Sequence, residues 1–73
     1  MLKMGKYRHF KGGEYHVLCV ALHSETQEPY VVYRALYGEG GLWIRPLSMF
    51  CETITRHGQT QPRFVYVGPM ETA

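Results

Sequence analysis

Glycine and proline interrupt this chain so often that the segments between them are too short to stand as independent helices. Lys11-Gly12-Gly13, Ser24 to Pro29, Gly38-Glu39-Gly40-Gly41, Pro46, Arg56 to Pro62 and Gly68-Pro69 all read as breaks. An isolated helix below ~12–15 residues is marginal in water, so runs this short must gain stability by pairing with one another. They are rich in Val, Ile, Thr, Tyr and Phe, whose branched or flat side chains suit a pleated, half-buried surface. Short strands joined by tight turns are expected, and closing the sheet would remove the edges that template aggregation.

Taken in order, Gly5 to Phe10 alternates as a first strand, with Tyr7 and His9 on one side and Lys6, Arg8 and Phe10 on the other. The paired glycines that follow supply positive φ without steric cost and turn it into a hairpin. Glu14 to His23 is apolar on both faces, with Tyr15, Val17, Cys19 and Ala21 on one and His16, Leu18, Val20 and Leu22 on the other. That is the pattern of a central, curved strand buried on much of both sides; a helix with Leu18, Ala21 and Leu22 as its stripe competes, but Tyr15, Val17 and Val20 favour the strand. Ser24 to Pro29 is a polar turn, and Tyr30 to Tyr37 carries the strongest strand signal, with Arg34 sharing a face with Tyr30, Val32 and Leu36. The second glycine cluster leads into Leu42-Trp43-Ile44-Arg45-Pro46. There Trp43 and Arg45 share one face, Leu42 and Ile44 the other, and Pro46 ends the ladder.

Leu47 to Phe50 fits one turn of 3₁₀ helix that plugs Leu47 and Phe50 into a core. Cys51 to Thr55 reads as a fifth strand, Arg56 to Pro62 as a polar loop and Arg63 to Val67 as a sixth strand. Residues 1–4 and 68–73 are expected to fray. The expectation is one all-β domain over residues 1–73, a small SH3-like antiparallel barrel of five to six short strands with one 3₁₀ turn before the fifth. An OB fold is the nearest rival, but it needs a helix between its third and fourth strands, and the sequence offers none there.

Several function classes are disfavoured by composition. A net charge of +2 is too mild to imply nucleic acid by itself, although Lys3, Lys6, Arg8 and Lys11 make the first segment locally basic. No apolar run approaches the ~20 residues of a membrane span. The two cysteines, Cys19 and Cys51, lack metal-knuckle spacing and read as small apolar residues, reduced in a cytoplasm. The compositional anomaly is aromatic: six Tyr, three Phe and one Trp in 73 residues, which serve equally in a small core and in a binding face.

Chemical constellations are weak. His9, His16 and His23 are spaced by seven, which on strands turns successive members to opposite faces, so no single metal site collects them and no cofactor is expected. The Gly38 to Gly41 cluster is followed by neither Lys-Ser/Thr nor a helix, so it is a turn and not a phosphate loop. Ser24 neighbours His23 and Glu25, yet adjacent turn residues cannot face one another as a triad does, and turn chemistry accounts for them. An acid/base enzyme would need His9 or His23 with Glu25, and with Arg34 and Arg45 holding an anion, in a chain too small to enclose much substrate. A non-enzymatic binding module is the expected role. Its candidate site is Trp43, Arg45, Tyr33, Arg34, Tyr7, Arg8 and His9, flat aromatic surfaces with forked cation donors. The alternative role is nucleic-acid binding led by Lys6, Arg8 and Lys11. The bland account of the same residues is an aromatic wall with Arg stems packed across it and paired to Glu14, Glu39 or Glu52. Protein, peptide and nucleic acid all remain open as partners, without a membrane, for a monomer or weak homodimer.

The segments Tyr7-Arg8-His9-Phe10-Lys11-Gly12, His23-Ser24-Glu25-Thr26, Val32 to Tyr37, Leu42 to Leu47 with Met49-Phe50, and Pro62-Arg63-Phe64 together resemble a small bacterial family known only as a domain of unknown function. The likeness runs from Gly5 to about Val67. It implies a stand-alone bacterial cytoplasmic module without assigned activity, and it brings no catalytic residues to carry over.

Overall fold

The computed structural model describes residues 2–70. Along the chain these form β1 Gly5–His9, β2 Glu14–Leu22, β3 Pro29–Ala35, β4 Leu42–Pro46, α1 Leu47–Phe50, β5 Thr53–Arg56, β6 Gln59–Pro62 and β7 Phe64–Gly68. The domain is thus mostly β and antiparallel, as expected. Five strands make one sheet in the order β4-β3-β2-β1-β7, and β5 and β6 form a separate two-stranded ribbon. Since β4 and β7 lie at opposite edges, the pairing does not close into a ring. No helix among the described residues is long and apolar enough to cross a membrane.

One face of the sheet carries the core. Tyr7, Val17, Val31 and Tyr33 come from the strands β1 to β3, Phe64 from β7 and Phe50 from α1, with Leu2, Tyr15, Leu47 and Tyr66 packed around them. Phe50 is 1% exposed and stacks on Phe64 with ring centres 4.0 Å apart, so the expected plug is present. The turn that carries it is α-helical and not 3₁₀, because the Cys51 amide reaches back four residues to the Leu47 carbonyl at 3.0 Å.

Register accounts for the other departures. Leu18 is an extra residue in β2, since Val17 pairs with Tyr33 but Cys19 with Val32. The bulge flips the alternation beyond it, so Cys19 and Ala21 turn away from the core. The far half of β2 is therefore exposed and not buried on both sides, and Cys19 does not pack in the interior. Cys51 is also exposed and caps α1 instead of opening a strand. The polar loop expected over Arg56 to Pro62 is in fact a hairpin turn plus β6, which pairs Gln59 with Arg56 and Pro62 with Thr53. Its turn residues His57 and Gly58 sit at φ 53° and 77°, the two positive values a two-residue hairpin turn requires. At the ends, Leu2 packs on the core and Gly68 pairs with Lys6. The fraying expected of Met1 and of residues 71–73 lies outside the described residues.

Candidate functional site

Residues opposite one another in an antiparallel pair share a face. Trp43 lies opposite Tyr33 and Arg45 opposite Val31, so both Trp43 and Arg45 face the core side at the β4 edge. Continuing across the sheet, Ala35 meets Tyr15, Tyr15 meets Tyr7, and His9 meets Phe64. The same rule sends Arg34, opposite His16 and Leu42, to the outer face with Arg8. The seven residues named from sequence therefore divide: Trp43, Arg45, Tyr33, Tyr7 and His9 lie on the core side, and Arg34 and Arg8 lie on the outer side.

Their individual roles differ. Tyr7 is buried and donates its hydroxyl to the Lys3 carbonyl at 2.7 Å, so it is scaffold. Arg8 and Lys6 lie 3.1 and 4.0 Å from Glu14, which offsets much of the basicity of β1. Arg34 donates to the Gly40 carbonyl at 3.0 Å and fastens the turn into β4. His23 accepts the Glu25 and Thr26 amides on Nδ1, at 3.2 and 3.3 Å, so the His23 to Thr26 segment is a capped turn in which Glu25 contributes its backbone.

Arg45 is the unusual member. It is half-buried, and its Nε donates to the Tyr33 hydroxyl at 3.3 Å. Its guanidinium carbon lies 5.8 Å from the centre of the Phe64 ring. The ion pairs among the described residues are those of Lys6 and Arg8 with Glu14 and of Arg63 with Glu52, so Arg45 has no carboxylate partner among them. Half-burial strips such a cation of part of its hydration, and an arriving anion offsets that loss through charge-assisted hydrogen bonds.

The surroundings of Arg45 reinforce this. The His9 ring packs 4.9 Å from Phe64, and its Nδ1 accepts the Lys11 amide at 3.1 Å, which assigns the proton of the neutral ring to Nε2. Burial, and then the charges of Arg45, Arg63 and Lys11, hold its pKa below the ordinary imidazole value. Arg63 adds a buried Nε that finds no hydrogen-bond partner among the described residues. Tyr15, 5.3 Å from Tyr33 between ring centres, is hydrogen-bonded to the Tyr37 hydroxyl. Burial and that bond push its pKa up to about 12, which keeps it a neutral hydroxyl. Trp43 and Tyr37 are 57% and 53% exposed and, with Ala35, Gly38, Glu39 and Gly41, line a hollow of about 260 Å³. That volume admits one side chain or flat ring, because whole small-molecule sites run to ~300–1,000 Å³.

Tyr15, Phe64 and Arg63 were not among the site residues named from sequence. The signal for Tyr15 was available in the tight Lys11 to Gly13 turn, which sets Tyr7 opposite Tyr15. Phe64 and Arg63 reach the site through the pairing of β7 with β1, which no local pattern announces.

A small, open antiparallel β domain with an aromatic face and, at one edge, an arginine without a carboxylate partner among the described residues is the class these features define. Residues 5–66 match the family described as a protein of unknown function, DUF1653, and the chain belongs to that family. It is similar to a crystal structure of a DUF1653 protein from Bordetella bronchiseptica, with a TM-score of 0.86 and 39% identity over 99% of this chain and 95% of that one. No curated protein matches it.

Proposed function

We propose that this protein is a non-enzymatic recognition module that holds an anion-bearing partner against Trp43 and Arg45 on the core-side face of β4. The half-buried guanidinium of Arg45, without a carboxylate among the described residues, is the observation that carries this reading. The exposed Trp43 and Tyr37 beside the hollow supply flat surface for a neighbouring group. A binding role is favoured over acid/base catalysis because His9 and His23 each use Nδ1 to accept a backbone amide, and neither hydrogen-bonds a carboxylate among the described residues. The scaffold is read as an SH3-like sheet left open beside β4, with α1 as the short helical turn before β5. The setting is read as the bacterial cytoplasm, with Cys19 and Cys51 both free thiols.

The test is a titration of the labelled protein with pools of acidic peptides, basic peptides and single-stranded oligonucleotides, read at the Trp43 indole and the Arg45 Nε–H. Both signals should move together with an anionic ligand, and Arg45→Met should abolish the response. Shifts confined to Lys6, Arg8 and Lys11 would transfer the function to a basic nucleic-acid surface, and no shift with any pool would remove the proposal.

A further inference from the structure

We infer that the partner of this surface is an extended acidic peptide that docks as a strand along the free edge of β4; the inference rests on the recognition reading above. Register defines that edge. The Ala35 amide donates to the Gly41 carbonyl at 3.0 Å, and the β3 to β4 pairing continues in step from there. Hydrogen-bonded and non-hydrogen-bonded pairs alternate along an antiparallel ladder. Trp43 and Arg45 therefore turn their backbone N–H and C=O groups inward to β3, whereas Leu42 and Ile44 turn theirs outward. Pro46, the residue of β4 without an N–H, falls in the outward set, where its missing donor costs the β3 ladder nothing. Among the described residues no strand other than β3 pairs with β4.

Protein edges are ordinarily blunted by charge, bulges, proline or a covering loop. This one has a regular register, its proline only at the end, and Leu42, Trp43 and Ile44 at 55%, 57% and 65% exposure. Unpaired backbone groups with exposed apolar side chains on both faces suit strand addition. Main-chain bonds then give affinity, and alternate side chains give specificity.

Charge selects the occupant. A strand laid beside β4 sets one of its side chains directly across from Arg45, with Cβ atoms ~4.5–5.5 Å apart, within reach of a glutamate. Its next residue on the same face, two positions along, falls at Trp43 and the hollow beside it. On the outer face Arg34, in register with Leu42, is a second cation without a carboxylate among the described residues. A second copy is the poorer occupant, since β4 contains no acidic residue and a β4 to β4 pairing leaves Arg45 without an anion inside the strand.

The experiment uses the whole chain and blocked heptapeptides of alternating valine and glutamate, their lysine counterparts, and two glutamate versions N-methylated at alternate amides in opposite phases. The glutamate peptide should bind at least about tenfold tighter than the lysine peptide, and one methylation phase should abolish binding. Amide exchange at Leu42 and Ile44 should slow at least about tenfold on binding, while Trp43 and Arg45, already bonded to β3, stay as they were. Shifts at the Trp43 and Arg45 side chains without slowed exchange at Leu42 and Ile44 would overturn strand docking and leave the recognition reading standing. Protection of Leu42 and Ile44 that rises with protein concentration before any peptide is added would assign the edge to a second copy and overturn the inference. Failure of every peptide to bind would overturn it as well, leaving the recognition reading to the oligonucleotide arm of its own test.

Discussion

Replacing Phe50 by Ala should bring the domain close to unfolding. The Phe50 ring stacks on Phe64 at 4.0 Å and 5°, and meets Tyr7 and Tyr33 edge-on at 5.4 and 5.5 Å. Those three rings come from β1, β3 and β7, so they cannot collapse together into the space left behind. Removing a buried Phe costs ~3–5 kcal/mol, and the lost aromatic pairs place this site towards the upper part of that range. At ~0.05–0.15 kcal/mol per residue, a domain of this size holds only roughly 4–11 kcal/mol in total. The melting temperature should fall by about 15–40 °C, since each kcal/mol is worth roughly 4–8 °C in so small a domain. Urea unfolding followed by far-UV circular dichroism is the suitable assay, because Trp43 is 57% exposed and its emission would report poorly on folding. Met49→Ala, in the same turn at 42% exposure, is the control and should stay within about 0.5 kcal/mol of the parent. A Phe50→Ala loss below about 1 kcal/mol, or a Met49→Ala loss of equal size, would refute the plug.

Gly5 sits at φ +136°, and an added Cβ would lie 2.6 Å from the Gly68 carbonyl oxygen, so Gly5→Ala should cost about 2 kcal/mol or more in chemical denaturation. His23→Ala removes the acceptor for two turn amides and should cost about 1 kcal/mol while leaving ligand affinity unchanged in calorimetric titration. The depressed pKa of His9 means that the unfolded chain takes a proton first as pH falls. Stability is then full above ~6.5 and is lost on acidification towards the lower folded value. Denaturation midpoints between about pH 7.5 and 5.5 should show this slope, and His9→Gln should flatten it.

Much of the fold was legible because its signals are local. The Lys11 to Gly13 and Gly38 to Gly41 turns, and the two faces of Leu42 to Arg45, follow from turn chemistry and period-two alternation over a few residues. The Leu18 bulge was not legible, since an extra residue shows only against its partner strand. Nor was β6, whose Gln59-Thr60-Gln61-Pro62 has no apolar alternation and is held by pairing with β5, although His57-Gly58 is a readable hairpin turn. At the site, Trp43 and Arg45 were correctly placed on one face. Grouping Arg34 with Tyr33 was avoidable, because neighbours along a strand point to opposite faces. The proximity of His9, Arg63 and Phe64 to Arg45 depends on β7 returning beside β1, a long-range pairing that no short motif encodes.

If Arg45 serves recognition and not the scaffold, removing its charge should leave the fold intact. Arg45→Met keeps an apolar stem against Phe64 and deletes the half-buried cation. The measurement is its urea midpoint beside the parent's, together with its affinity for the glutamate peptide. The expected result is stability within about 0.5 kcal/mol of the parent, or higher, with binding lost. A stability loss above about 2 kcal/mol, or binding retained, would contradict it and make Arg45 part of the aromatic wall.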